Sequence, residues 1–136
     1  MGLDQYAYVA ARAGQQKEFY DSAVWDENLK DYVNAKVAKP REIAYWRKHP
    51  NLQGWMRDLY HSSGGSEIFN GIELELTWDD IDRLEQDIRN TNLPETQGFF
   101  FGDSSDDHYR EQDLEFCRNA RADLFCGLKV FYNSSW

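Results

Sequence analysis

A cluster of side chains suited to holding an anion lies in the middle of the sequence: Glu42, Tyr45, Trp46, Arg47 and Lys48. Guanidinium and ammonium groups bind phosphates and carboxylates, an indole stacks on flat rings, and a phenol or carboxylate can move protons. The cluster is therefore a candidate ligand site on a predicted short helix. Taken alone, packing of its two aromatic side chains into the core is the favoured interpretation.

The end of the given sequence holds a second candidate, Ser134-Ser135-Trp136, soon after a predicted strand. We expect the indole of Trp136 to be docked on the fold, because a chain end without such contacts frays. Trp55, in the apolar stripe of the following predicted helix, completes the set of ligand-binding candidates. If the 42–48 segment and Trp136 face one cleft, a ligand site is favoured over simple packing.

The histidines offer no metal site, because His49, His61 and His108 fall in different segments without the spacing that gathers zinc ligands. A surface or boundary position is expected for each of them. The acidic loop at 103–107 lacks the central glycine and final glutamate of a calcium-binding loop, and we interpret it as capping for the next helix. We therefore predict no bound metal.

The two cysteines, Cys117 and Cys126, lie in one predicted helix and would point to opposite sides of it. This geometry excludes a disulfide between them, and we expect both thiols at core or boundary positions. Gly64-Gly65 lacks the lysine of a phosphate-binding loop, and no nucleophile elbow is found. The sequence indicates no cofactor and no catalytic residue.

Charge and hydropathy narrow the choice of partners. The sequence has 24 acidic and 15 basic side chains, for a net charge of −9, and such a surface repels nucleic-acid phosphates. Generic nucleic-acid binding is therefore not expected, but carboxylates arranged in stripes would let the protein mimic a nucleic acid. The sequence has no long apolar run and no secretory leader, so we expect a cytosolic protein without a membrane span.

The periodicity of the apolar residues predicts an α+β fold in a single compact domain over residues 1–136, with about four short strands and four or five helices. Strands are predicted at 3–10, 72–76, 98–102 and 128–132. Helices are predicted within 19–37, at 41–60 with a break or kink at Pro50, from Thr77 to Ile88, and through 114–125 with Gly127 as C-cap. In the first strand, residues 3, 5, 7 and 9 are expected to share one face.

Four motifs spread along the chain occur in the same order in a known family. They are Met1-Gly2-Leu3-Asp4-Gln5-Tyr6, Glu42-Ile43-Ala44-Tyr45-Trp46-Arg47-Lys48, Gly98-Phe99-Phe100-Phe101-Gly102 and Tyr132-Asn133-Ser134-Ser135-Trp136. With them the chain resembles a family of small bacteriophage and prophage proteins that has no established activity. The resemblance implies a phage-encoded accessory protein that acts inside the infected bacterial cell. Such proteins are sometimes labelled phosphoglycerate kinase, but that enzyme needs two large lobes closing over a nucleotide, and 136 residues supply one small lobe.

Two main hypotheses of function follow. The leading one is a non-enzymatic domain that binds a host protein or small ligand during infection, because Trp and Tyr are enriched at binding sites and no catalytic motif is found. The alternative is a small enzyme acting on an anionic or phosphorylated metabolite. In that enzyme the roles would be anion binding by Arg47 and Lys48, proton transfer by Tyr45 or Glu42, and ring stacking by Trp46 or Trp136.

Overall fold

The computed structural model of the chain describes residues 2–10, 19–38, 41–96 and 106–136. Within them it has six strands and three helices, so the α+β class is confirmed, with fewer helices than predicted. The strands are β1 (Asp4–Ala10), β2 (Phe19–Asp26), β3 (Asp31–Ala38), β4 (Arg41–Arg47), β5 (Leu74–Leu76) and β6 (Lys129–Ser135). The helices are α1 (Pro50–Ser62), α2 (Trp78–Arg89) and α3 (Asp106–Phe125).

Four of the strands form one antiparallel sheet in the order β4-β1-β6-β5. Strand β1 pairs with β6 along its whole length, from Asp4 opposite Ser135 to Ala10 opposite Lys129. Its other neighbour is β4, and the register of that pair shifts after Ala7. The two central strands therefore come from distant parts of the sequence and depend on each other for their hydrogen bonds.

The two faces of this sheet differ, as the alternation in the first strand predicts. The residues expected on one face are all buried: Leu3, Gln5, Ala7 and Val9. Trp46 of β4, Tyr132 of β6 and Phe116 of α3 belong to the same core. The opposite face, which we call the open face, carries exposed and half-buried side chains: Asp4, Tyr6 and Tyr8 of β1, Tyr45 and Arg47 of β4, and Phe131, Asn133 and Ser135 of β6.

The helix predicted to start at Thr77 is confirmed as α2, and its capping box is present. The Thr77 hydroxyl accepts a hydrogen bond from the Asp80 main-chain N at 3.2 Å, and the Asp80 carboxylate accepts one from the Thr77 main-chain N at 2.9 Å. Arg121 of α3 forms ion pairs with Asp82 and Glu85 of α2, each at 2.9 Å. This guanidinium holds the pKa of Glu85 below its ordinary value, and the pairs link α3 to α2.

The helix prediction for 19–37 is wrong, because this segment forms the hairpin of β2 and β3. Asp26 begins the turn: its carboxylate accepts hydrogen bonds from the main-chain N of Asn28 at 2.8 Å and of Leu29 at 3.0 Å. Next to the turn, the rings of Trp25 and Tyr32 pack edge to face, with centroids 5.2 Å apart. These two aromatic residues, a type favoured in strands, therefore lie opposite each other across the hairpin.

The short helix predicted at 41–48 is also wrong, because the segment is strand β4. The spacing of its apolar residues fits either structure, and pairing with β1 along its length decides for the strand. Lys48 ends the strand with a φ of 58°, and its main-chain N donates to the carbonyl of Leu3 at 2.9 Å. Pro50 does not end or kink a helix; it begins α1, where its missing N–H costs nothing.

The remaining element predictions are confirmed wherever the structure describes them. Strands β5 and β6 lie at the strands predicted for 72–76 and 128–132, and α3 contains the final predicted helix, with Gly127 at a φ of 84° after it. The strand predicted at 98–102 lies outside the described residues, as does most of the acidic loop at 103–107. None of the helices in the described ranges combines the length and apolar character that crossing a bilayer requires.

Candidate functional site

Trp46, a predicted ligand-stacking residue, lies in the core. Its side chain is fully buried, its indole N–H donates to a carboxylate oxygen of Asp113 at 2.8 Å, and its ring meets Phe116 edge to face. Because strand residues alternate between faces, Tyr45 points the other way, onto the open face. The structure therefore separates these two aromatic neighbours, and only Tyr45 can meet a ligand on the open face.

The two basic residues of the 42–48 segment lie at the end of β4. Arg47 is 4.0 Å from the Asp4 carboxylate, which also accepts a hydrogen bond from the Tyr45 hydroxyl at 2.7 Å. Lys48 and Arg47 both pass close to Gly2, where an added Cβ would lie 3.3 Å and 3.6 Å from their side chains. Both are exposed, and neither lines the open-face cleft described below.

Trp136 is docked, as expected from its position in the sequence. Its indole N–H donates to the carbonyl of Phe69 at 3.0 Å, and its main chain exchanges two hydrogen bonds with the side chain of Asn70. Trp55 lies elsewhere: its indole N–H donates to Asp87 at 2.8 Å, and it borders a separate cleft of about 410 Å³ that α2 also lines. The tryptophan candidates therefore do not converge on one cleft.

A cleft with a volume of about 630 Å³ lies on the open face. Its lining residues are Tyr6, Tyr8, Glu42, Gly71, Glu73, Asn133, Ser134 and Ser135. Three of the residues predicted from the sequence therefore share this cleft, namely Glu42, Ser134 and Ser135. The Ser134 side chain is buried on the core side with Tyr132, so Ser134 borders the cleft through its main chain.

A shift in strand register brings Glu42 to this cleft. The pairing of β1 with β4 runs regularly to Ala7 opposite Ala44, and Tyr8 then lies opposite Glu42, so that Ile43 is skipped. Ile43 packs against the core instead. Such a bulge bends the strand and turns a side chain to the other face, and here the side chain that reaches the open face is a carboxylate.

Four aromatic rings cover the open face beside the cleft, and we call them the aromatic platform: Tyr6, Tyr8, Tyr45 and Phe131. Tyr6 packs on Tyr45 with ring centroids 5.1 Å apart, and Tyr8 stacks on Phe131 at 5.5 Å. Tyr6 and Tyr45 remain 37% and 41% exposed. Exposed ring faces of this kind can stack on a flat ligand or attract a cation.

Glu73 forms the wall of the cleft opposite Glu42. Its carboxylate accepts a hydrogen bond from the Tyr8 hydroxyl, and burial together with this bond raises the pKa of Tyr8 above its ordinary value. Gly71, two residues earlier, donates its N–H to the carbonyl of Ser134 at 2.7 Å. This bond holds the 71–73 segment against the end of β6, so both walls of the cleft are fixed by main-chain pairing.

Two groups that could serve catalysis, His49 and Cys117, are buried in the core. His49 is fully buried, 2.8 Å from Asp113 through Nε2 and stacked on Tyr109, so the surface or boundary position expected for it is wrong. Cys117 is also buried as expected, and burial raises the pKa of its thiol to about 12, which suppresses the thiolate. Cys126 is exposed. In the part of the chain that is described, no three His, Cys, Asp or Glu side chains are grouped to hold a metal ion.

Sequence reasoning missed five residues of the cleft: Tyr6, Tyr8, Gly71, Glu73 and Asn133. A signal for the two tyrosines existed, because the alternation of the first strand places them on the face opposite Ala7 and Val9. No comparable signal existed for Glu73 and Asn133, because their position beside the cleft depends on the order of strands that are distant in the sequence.

Comparison of the chain with protein-family models, with curated proteins and with solved structures found no match. The cleft is therefore the basis for inferring function.

Proposed function

We propose that this protein is a non-enzymatic binding domain that takes a small ligand into the open-face cleft. The observation that carries the proposal is the cleft of about 630 Å³ beside four aromatic rings. Ligand sites for small molecules typically have volumes of roughly 300 to 1,000 Å³ and combine ring surfaces with a few polar groups. Asn133, Ser135 and the two glutamates supply such polar groups here.

The resemblance to phage proteins gives the proposed setting. In this proposal the protein is a phage-encoded accessory protein in the cytoplasm of the infected bacterium, and its ligand is a host molecule. The cleft volume favours a small molecule over the host protein that the sequence left open as a second partner. The alternative of an enzyme for anionic metabolites receives no support from the cleft, because Arg47 and Lys48 do not line it and Glu42 and Glu73 do.

A chemical-shift mapping experiment tests this proposal. The 15N-labelled protein is mixed with the low-molecular-weight extract of bacterial cells, separated into fractions, and its amide spectrum is recorded for each fraction. We expect one or more fractions to shift the amides of β1, β6 and the 71–73 segment. Replacing Tyr6 by Ser removes an exposed ring of the platform and is expected to weaken the shifts at least severalfold.

A matched control is Tyr32→Ser, since Tyr32 is an exposed tyrosine on β3, 66% accessible, and does not line the cleft. This variant is expected to respond like the wild type. The proposal is wrong if every fraction leaves the open face unshifted, or if the shifts collect around Trp55 and Asp87 at the second cleft.

A further inference from the structure

We infer that the ligand of the open-face cleft is a small organic cation, a molecule that joins a positively charged nitrogen to a flat apolar body. The inference rests on the proposed function and adds the chemical class of the ligand. Three features of the cleft support it: its two carboxylates, its exposed aromatic rings and its volume.

Two carboxylates line the cleft, and none of its described lining residues is basic. Glu42 lies on the β4 side and Glu73 on the β5 side, and neither forms an ion pair within the described ranges of the chain. By contrast, Glu75 on the same side of the sheet has Lys129 at 3.5 Å. A cation in the cleft would be attracted from both walls, whereas an anion would be repelled by both.

The tyrosine rings add a second attraction for positive charge. Tyr6 and Tyr8 line the cleft together with the carboxylates, and the face of an aromatic ring carries partial negative charge that attracts ammonium groups. The hydrogen bond from Tyr8 to Glu73 fixes one ring and one carboxylate relative to each other. A carboxylate has about four acceptor sites, so this bond leaves Glu73 able to accept more from a ligand N–H.

The volume decides between a small molecule and a basic side chain of a partner protein. About 630 Å³ is more space than one lysine or arginine side chain fills, and it lies in the middle of the range for small-molecule sites. Ligands with a ring for the platform and an ammonium group for the glutamates would use both features of the cleft. We therefore assign the site to a small organic cation.

Three probes that share a phenyl ring but differ in charge test the assignment: 2-phenylethylamine, 2-phenylethanol and 3-phenylpropanoate. The dissociation constant of each is measured by titration into the 15N-labelled protein at fixed pH and ionic strength. We expect the amine to bind at the open face at least fivefold more tightly than the alcohol, and the carboxylate not to bind there. A higher salt concentration is expected to weaken binding of the amine, because salt screens the attraction between its ammonium group and the glutamates.

Charge-removing variants show whether the glutamates are responsible. Glu42→Gln and Glu73→Gln keep the side-chain shape, and each is expected to raise the dissociation constant of the amine roughly three- to tenfold. Glu75→Gln is the matched control, because Glu75 already pairs with Lys129 and does not line the cleft. It is expected to leave the dissociation constant within about twofold of the wild type. Amide spectra of the free variants verify that each is folded.

The outcomes separate this inference from the proposed function. Equal binding of the alcohol and the amine at the open face, unchanged in Glu42→Gln and Glu73→Gln, would overturn the cation assignment and leave the binding function standing. Absence of any open-face shift with all three probes at millimolar concentration would count against both. A short peptide with one lysine that binds the face tenfold more tightly than the amine would overturn the small-molecule assignment and replace it by a basic side chain.

Discussion

Replacing Tyr132 by Phe removes one oxygen atom from a buried polar chain at the centre of the fold. Tyr132 is fully buried between the sheet and the helices. Its hydroxyl accepts a hydrogen bond from the Gln5 side-chain amide at 2.9 Å and donates one to the Gln53 side-chain oxygen at 2.6 Å. The Gln5 side chain also bonds the main-chain N and O of His49, so this chain connects β1, α1 and β6.

The expected loss follows from the groups left without their partner. Gln53 loses the donor to its oxygen, while Gln5 loses one of the two acceptors of its amide group and keeps the carbonyl of His49. Removing one partner from a buried polar group costs about 1 to 3 kcal/mol. For these two glutamines together we predict that Tyr132→Phe lowers the free energy of unfolding by about 2 to 3 kcal/mol.

Urea denaturation monitored by tryptophan fluorescence and by circular dichroism measures this loss. Tyr45→Phe is the matched control, because it removes the same atom from an exposed tyrosine of the same sheet, whose hydroxyl donates to Asp4. Its transition midpoint is expected to stay close to that of the wild type. If Tyr132→Phe and Tyr45→Phe unfold at the same urea concentration, the buried hydrogen-bond chain does not contribute as argued.

Three further predictions concern the core. Gly54→Ala, which in most helix interiors stabilises by about 1 kcal/mol, should here cost about 1 to 3 kcal/mol, because the added Cβ would lie 1.8 Å from the buried Thr96 hydroxyl oxygen. Partial recovery of stability in Gly54→Ala/Thr96→Ala, where the Cβ of residue 96 remains 2.9 Å away, would support this cause, and a stabilised Gly54→Ala would refute it. A thiol reagent at neutral pH should modify Cys126 at once and Cys117 only after denaturation, and equal rates would contradict the burial of Cys117. Burial raises the pKa of Tyr132 in the folded protein. As the pH rises, the hydroxyl therefore loses its proton in the unfolded chain first, and the free energy of unfolding should fall above about pH 10. An equally steep fall in Tyr132→Phe would show that other groups cause it.

Local signals in the sequence were sufficient where one segment decides its own structure. The capping box at Thr77 and Asp80 fixes the start of α2 without help from the rest of the chain. The alternation of the first strand likewise predicts which of its residues are buried, because a strand with one face on the core must repeat every two residues. Gly127 marks the end of α3 for an equally local reason, its positive φ.

Local signals did not predict the secondary structure where pairing with a distant segment determines it. The apolar residues of 41–48 fit a helix as well as a strand, and pairing with β1 selects the strand and sends Trp46 and Tyr45 to opposite faces. The segment that forms the hairpin of β2 and β3 carries two conflicting signals: Asp26 indicates a turn, whereas the spacing of the nearby apolar residues indicates a helix. Pairing between the two strands decides for the hairpin.

The candidate site was the least predictable part for the same reason. Glu42 was a candidate, but the reason it reaches the cleft is a register shift that no spacing in the sequence reveals. Glu73 approaches Tyr8 across two strand pairings, and no signal in the sequence indicates the order of the strands. A site built across a sheet of non-consecutive strands becomes visible only once the order of those strands is known.

A crystal structure of the protein with 2-phenylethylamine tests the central claim most directly, because it locates both ends of the ligand. We predict the phenyl ring against Tyr6 or Tyr8 and the ammonium nitrogen within hydrogen-bonding distance of the Glu42 or Glu73 carboxylate. An amine bound beside Trp55 and Asp87, or one in the open-face cleft with its nitrogen directed away from both glutamates, would contradict the account.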